Sequence, residues 1–165
     1  ELSLGLVGSE MCIRDRINGV VLRLGTIFGP SPGMRFHTAV NKFIFYAVTG
    51  RPLTVWSDAV ALVRPYLALE DAVAAIEFIL DRPEIAGHVY NVVTLNATLE
   101  QVIEAVRSNA PTVEFEYTKT RLLNQVSYHV DDQKIRELGF STSGNLADGV
   151  KETFDLLRGV TLNSQ

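Results

Sequence analysis

Residues 20–30, with the sequence VVLRLGTIFGP, constrain the fold of this chain more than any other stretch. The three apolar residues at the start are typical of a strand that is covered on both faces, as in a parallel sheet. Gly25 allows another backbone to approach closely, and Gly29 and Pro30 end the strand. Ligands of open α/β sheets lie beyond the carboxyl ends of such strands, so we expect a ligand near Thr26 and Ile27. The alternative is an ordinary core strand that ends in an ordinary turn.

Strand and helix patterns alternate along the whole chain. Apolar or alternating runs predict strands near 19–27, 53–56, 64–69, 88–93 and 113–117. Helical spacing and capping residues predict helices over 40–48, from Glu70 or Asp71 to Pro83, from Thr98, from Asp131 to Gly139 and from Asn145. In the second of these helices, the apolar residues expected to face a core are Val73, Ile76, Ile79 and Leu80. The alternation predicts an α/β fold with some α+β character.

The composition excludes several classes of function. A formal net charge of −4 argues against a surface that binds nucleic acid or an anionic membrane, and no apolar run is long enough to span a bilayer. The single cysteine, Cys12, cannot form an internal disulfide, so we expect a cytoplasmic protein. His37, His88 and His129 lack the spacing of metal ligands, and we expect no metal site.

Residues 1–16 differ in character from the rest of the chain. They are weakly apolar without a period, and the string MCIRDR at 11–16 resembles translated sequencing-adapter read-through at the broken end of a predicted gene. No basic segment precedes them, which argues against a secretory signal. We therefore expect a non-native segment over 1–16 and genuine sequence over 17–165. The alternative is a native N-terminal arm.

Residues 29–33, Gly-Pro-Ser-Pro-Gly, match the G-x-S-x-G nucleophile elbow of serine hydrolases. The elbow needs the N–H of the residue after the serine for its oxyanion hole. That residue here is Pro32, which has no N–H. We therefore interpret the motif as a rigid loop.

Two arginines are candidates for binding an anion. Arg64 lies in an extended stretch between apolar residues, and Arg121 follows the predicted strand near 113–117. The planar guanidinium group suits two-pronged binding of phosphate oxygens, and two such groups that converge would suit a pyrophosphate. The alternative for each is a surface residue or a structural ion pair.

Four segments, in order along the chain, carry a resemblance to a known family. Residues 23–30 are similar to the Arg-x-x-Asn-x-x-Gly-Pro strand and turn of extended short-chain dehydrogenases/reductases, the NAD-dependent epimerases and dehydratases of nucleotide sugars. Residues 64–71 resemble the family's Arg-Asp-Tyr-Ile-His-Val-x-Asp segment, and residues 89–92 resemble its Val-Tyr-Asn-hydrophobic strand. The family's Asp-x-x-Lys-x-x-x-Leu-Gly helix is matched by Asp131, Lys134, Leu138 and Gly139.

The resemblance implies roles for individual residues. Arg64 and Arg121 fall on the two arginines that bind the substrate pyrophosphate, and Thr26 takes the place of a substrate-binding asparagine. Leu24 and Ile27 fall where the family contacts the nicotinamide end of NAD. The sequence departs from the family pattern at Thr26, Pro65 and Ala68. These departures leave the identity of the sugar and of its nucleotide open.

The family's Gly-rich dinucleotide fingerprint and its catalytic Tyr-x-x-x-Lys pair do not occur after residue 16. In the family, both motifs lie upstream of the strand that corresponds to residues 20–30. The resemblance therefore implies the last strands of a Rossmann-type parallel sheet, near 19–27 and 88–93, plus the smaller mixed α/β substrate domain. The N-terminal Rossmann half is expected to be missing.

For the whole protein, the resemblance implies an NAD-dependent epimerase or dehydratase of a nucleotide sugar, in which NAD accepts a hydride from a sugar carbon. A homodimer is a candidate assembly. No catalytic residue is expected in the chain itself, which we predict to be inactive and to bind NAD very weakly. The alternative is a non-enzymatic NAD(P)-sensing or regulatory protein of the same fold, which need not keep the Tyr-x-x-x-Lys pair.

Overall fold

The computed structural model describes residues 19–119 and 126–159. The segment 1–16 and Arg121 lie outside these ranges, so the expectations for them stay predictions. No helix within the described ranges is long and apolar enough to cross a membrane.

Strands and short helices alternate through the described part of the chain. The strands are β1 Val21–Leu24, β2 Thr26–Phe28, β3 Leu53–Trp56, β4 Val63–Ala68, β5 Val89–Val92, β6 Leu95–Thr98 and β7 Phe115–Thr118. The helices are α1 Ala39–Val48, α2 Leu69–Leu80, α3 Leu99–Asn109, α4 Gln133–Arg136 and α5 Leu146–Leu157. The predicted elements occur in the predicted order with boundaries that differ by a few residues, but the sequence did not predict β6.

The strands pair mainly in parallel, which confirms the α/β fold class. β1 pairs with β5, β2 with β4, and β3 with β7, all in parallel, while β6 runs antiparallel to the other edge of β4. Parallel neighbours require crossover connections, and α1 and α2 lie in the crossovers between these strands. The carboxyl ends of β2 and β4 therefore lie at the same edge of one sheet.

The single strand expected near 19–27 is divided at Gly25. β1 ends with the Gly25 N–H donating to the Val92 carbonyl at 3.0 Å, and β2 then pairs with β4 instead of β5. A Cβ atom at Gly25 would lie 3.3 Å from the Pro65 carbonyl oxygen and 3.3 Å from Val93 Cγ1. The missing side chain thus lets the strand change partners where three backbones meet.

The expectation for the buried face of α2 is wrong for three of its four residues. Val73, Ile76 and Leu80 are 48%, 46% and 76% exposed, whereas Ala72 and Ala75 are buried. The small alanine side chains allow α2 to lie close to the strands, so the larger apolar residues are left on the outer face. Helical spacing alone could not distinguish the two faces, because both are apolar.

Two apolar clusters form the core. One lies between α1, α3 and α5, which pack against each other, and the sheet containing β2 and β4. The other lies between α2, α4 and β5. The predicted caps of the two longer C-terminal helices are confirmed: Thr98 forms a capping box with Gln101, and Asn145 Oδ1 accepts from the Asp148 N–H at 2.9 Å.

Candidate functional site

Thr26 and Arg64, both expected to bind substrate, line the same cavity. Thr26 lies opposite Tyr66 in the β2–β4 pairing, and Arg64 precedes Tyr66 by two residues on β4. This register directs the candidate residues of two neighbouring strands into one cavity of about 420 Å³. Its other sides come from α1 and β3, through residues that include Lys42 and Trp56.

The cavity has a cationic lining. Lys42 and Arg64 supply its positive charge, and none of the described residues that line it is an aspartate or a glutamate. This contrasts with the formal net charge of −4 of the whole chain. Concentrated positive charge in a cleft favours an anionic ligand, and a guanidinium beside an ammonium group suits phosphate oxygens.

The segment 126–128 orients the Arg64 side chain. Arg64 Nη1 donates to the Val126 carbonyl and, at 3.3 Å, to the Val63 carbonyl, and the guanidinium lies 5.0 Å from the centre of the Tyr128 ring. The same segment bonds to β4 through Ser127 Oγ, which accepts from the Val63 N–H at 3.0 Å. Arg64 is therefore held in place by contacts on one side while it lines the cavity.

Asparagine side chains hold the continuation of this segment. Asn96 on β6 donates to the Val130 carbonyl at 3.0 Å and accepts from the Val130 N–H at 2.9 Å. Asn91 on β5 donates to the Asp131 carbonyl at 2.8 Å, and Lys134 Nζ donates to the Val89 carbonyl at 3.0 Å. The Val-Tyr-Asn strand and the Asp-x-x-Lys helix, separate motifs in the sequence, are thus bonded to each other.

A second cavity of about 490 Å³ adjoins the first and shares Thr26, His37 and Thr38 with it. Ile27 lines this second cavity. Leu24 lines neither of the two, but it is 40% exposed on β1. Leu24 and Ile27, the two residues expected near NAD, therefore both expose apolar surface near Thr26. They do not line a common cavity.

Tyr66 lies between the core and the cavity. It is 3% exposed, and burial raises the pKa of its hydroxyl above the ordinary value of 10.0, while the nearby charge of Arg64 partly opposes this rise. The phenol is thus neutral at physiological pH and can donate a hydrogen bond as well as accept one.

Sequence reasoning missed several residues that line these cavities, among them Arg35, Asn41, Lys42 and Trp56. Asn41 and Lys42 interrupt the apolar pattern of α1, which was the only signal for them. Trp56 ends β3 and is 40% exposed, which is unusual for the single tryptophan of a chain. Within residues 19–119 and 126–159, no group of three or more His, Cys, Asp or Glu side chains could hold a metal ion.

The fold and the cavities together define an α/β protein with parallel strand pairs and a cleft whose lining includes Lys42 and Arg64. The chain belongs to the NAD dependent epimerase/dehydratase family, whose sequence model matches residues 8–93.

Relatives and solved structures agree with this family. The chain is 34% identical over 142 residues to a trifunctional UDP-glucose 4,6-dehydratase, 3,5-epimerase and 4-keto-L-rhamnose-reductase, RHM2 of Arabidopsis thaliana, and this match covers 82% of the chain. It superimposes on UDP-glucose 4-epimerase of Thermus thermophilus, in complex with NAD, with a TM-score of 0.75 at 22% identity over 92% of the chain. It superimposes on UDP-glucuronic acid 4-epimerase of Bacillus cereus, in complex with UDP-glucuronic acid and NAD, with a TM-score of 0.74 at 22% identity over 85% of the chain.

These matches cover only part of each similar protein. The chain spans 20% of the length of the Arabidopsis protein and 50% and 45% of the two epimerase chains. At these identities, the structural matches show a common fold, that of Rossmann-type epimerases and dehydratases.

Proposed function

We propose that residues 17–165 form the C-terminal part of an NAD-dependent epimerase or dehydratase that acts on a nucleotide sugar. In this proposal, the chain supplies the last strands of the cofactor sheet and the smaller substrate domain. The family membership supports the class of reaction, and the B. cereus epimerase, which holds both UDP-glucuronic acid and NAD, supports the kind of ligand.

The observation that carries the proposal is the joint lining of one cation-rich cavity by Thr26 and Arg64. The diphosphate of a nucleotide sugar carries the charge that Arg64 and Lys42 would neutralise, and the Thr26 hydroxyl can hydrogen-bond a neutral sugar. Arg121 is proposed as the second arginine at the diphosphate. The segment 126–128, which contacts Arg64, follows Arg121 closely in the chain, and this supports their proximity.

NAD is the proposed cofactor of the whole protein, where it would accept and return a hydride. Leu24 and Ile27 fit the apolar nicotinamide end, since they expose 40% and 37% of their surfaces near the carboxyl ends of β1 and β2. Apolar side chains of this kind can cover a ring without forming hydrogen bonds to it. The chain alone is proposed to be inactive and to bind NAD very weakly, and calorimetry that detects micromolar NAD binding by it would contradict this.

The substrate proposal is tested with Arg64→Lys, which keeps the charge but loses the planar fork. We expect ¹H–¹⁵N NMR titration of the chain with UDP to give an affinity about tenfold lower for the variant, equivalent to about 1.4 kcal/mol. Arg107→Lys is the matched control, because Arg107 also lies over an aromatic ring, 4.6 Å from the centre of Phe115, but outside the cavity. Equal affinities for UDP in wild type and Arg64→Lys would contradict the proposal.

In the whole protein, Arg64→Lys is expected to weaken the binding of a UDP-sugar and to leave NAD binding nearly unchanged. A matching loss for both ligands would indicate a structural role for Arg64, acting through its contacts with Val126 and Tyr128.

Three further expectations belong to this proposal. Residues 1–16 are proposed to be non-native, so their removal should change the free energy of unfolding by less than about 0.5 kcal/mol in a urea titration. A loss of several kcal/mol after removal of 1–16 would show that the segment contributes to the fold.

The whole protein is proposed to be cytoplasmic, which cell fractionation tests. A homodimer is its proposed assembly, which light scattering tests.

A further inference from the structure

Asn41 has a buried acceptor atom without a partner. The residue is 4% exposed on the inner face of α1, beside Val40 and Ile44. Its Nδ2 group donates to the Arg35 carbonyl at 3.3 Å, whereas Oδ1 is buried and bonds to none of the described residues. Buried polar atoms are rarely left unpaired, because the lost hydration is not recovered, so we expect this amide oxygen to bond to a group that the described residues do not supply.

Asn41 lines the second cavity, the one of about 490 Å³. Its charged residue is Arg35, none of the described residues that line it is an aspartate or a glutamate, and its hydroxyl groups come from Thr26, Ser31 and Thr38. Such a lining suits a ligand rich in hydroxyl groups, because each of these side chains can both donate and accept a hydrogen bond.

The two cavities form one continuous binding region. They share Thr26, His37 and Thr38, so a ligand bound in the first cavity can extend into the second, toward Asn41. A nucleotide sugar has groups for both linings, a diphosphate for the cations of the first cavity and a hydroxylated ring for the hydrogen-bonding groups of the second.

We propose that Asn41 determines sugar specificity, with its amide oxygen accepting a hydrogen bond from a sugar hydroxyl in the second cavity. This inference rests on the function proposed above and adds the residue that distinguishes a nucleotide sugar from the free nucleotide.

The test compares the affinities of paired ligands, UDP with UDP-glucose and dTDP with dTDP-glucose, by ¹H–¹⁵N NMR titration of the chain. The ratio of the two affinities in a pair isolates the contribution of the sugar. We expect Asn41→Ala to reduce this ratio roughly five- to tenfold, the effect of one hydrogen bond, while the affinity for the free nucleotide stays within about twofold. The side-chain amide signals of Asn41 should shift with the sugar nucleotide and not with the free nucleotide.

Two further variants separate recognition from a structural effect. Asn41→Gln keeps both the amide oxygen and the N–H donor that bonds the Arg35 carbonyl, and it should keep more of the wild-type ratio than Asn41→Ala does. Asn109→Ala, at the exposed end of α3, is the matched control and should leave the ratio unchanged.

The outcomes distinguish this inference from the proposed function. If wild type binds the free nucleotides but Asn41→Ala has the wild-type ratio, or the Asn41 amide signals shift equally with free nucleotide and sugar nucleotide, the role of Asn41 is wrong and the substrate class stands. If wild type binds neither nucleotide at millimolar concentration, both proposals are wrong.

Discussion

Asp71 accepts a hydrogen bond from the backbone N–H of Ser143 at 2.8 Å, across 72 positions of sequence. The Asp71 carboxylate also accepts from the Gly144 N–H at 3.2 Å and from the Thr94 hydroxyl, and the residue is only 1% exposed. It thereby joins the start of α2, the chain after β5 and the loop that leads into α5. Several hydrogen-bond donors stabilise a buried carboxylate, and each donor loses its partner if the carboxylate is removed.

We expect Asp71→Ala to lower the free energy of unfolding by about 3 kcal/mol, because two backbone N–H groups and the Thr94 hydroxyl would lose their acceptor. Urea unfolding followed by circular dichroism measures this change. Glu77→Gln, on the exposed side of the same helix, is the matched control and should change stability by less than about 0.5 kcal/mol. Equal stabilities for the two variants would show that Asp71 does not hold these segments together.

Gly149 lies inside α5, where helix propensity alone predicts that alanine would stabilise the chain by about 1 kcal/mol. A Cβ atom at Gly149, however, would lie 2.5 Å from Cε2 of Phe28, whose ring is completely buried. Because overpacking a core costs about 1–3 kcal/mol, we expect Gly149→Ala to destabilise the chain.

Ala147→Gly is the control for the Gly149→Ala measurement. Ala147 is exposed on the same helix, so its replacement changes stability through helix propensity and not through core packing. A higher midpoint of urea unfolding for Gly149→Ala than for wild type would show that the Phe28 ring yields to the added methyl group.

Burial of Tyr66 predicts a dependence of stability on alkaline pH. Its pKa is raised in the folded chain, so between the ordinary value of 10.0 and the folded pKa only the unfolded state releases the proton. The stability contributed by the neutral phenol is therefore fully present below about pH 10 and is lost as the pH rises through the folded pKa. Tyr66→Phe should be less destabilised than wild type by a change from pH 9 to about pH 11. Parallel decreases in the two proteins would contradict this assignment.

Thr98 closes the capping box that begins α3, accepting from the Gln101 N–H at 3.2 Å while Gln101 Oε1 accepts from the Thr98 N–H at 2.8 Å. We expect Thr98→Ala to cost about 1 kcal/mol of stability and Thr98→Ser to be nearly neutral, because serine keeps the capping hydroxyl. Thermal unfolding of the three proteins measures both changes. A loss of the same size for serine would indicate that the threonine methyl group, rather than the cap, stabilises the helix.

The sequence by itself determined the elements whose causes are local. The apolar run before Gly25 predicted a strand, and Thr98 and Asn145 predicted helix starts, because strand propensity and capping bonds depend on residues only a few positions apart. The motif order also determined the family, which the match over residues 8–93 confirms.

Only the tertiary structure decided which faces are buried and which side chains meet. The buried alanines of α2, the bonds of Asp71 to residues 143 and 144, and the unpaired oxygen of Asn41 all depend on segments far apart in sequence. A periodic pattern specifies that a helix has an apolar face. How deeply that face is buried, and which residues it contacts, depends on how sheets and helices pack. The cavity that joins Thr26 and Arg64 likewise exists because β2 and β4 pair in one particular register.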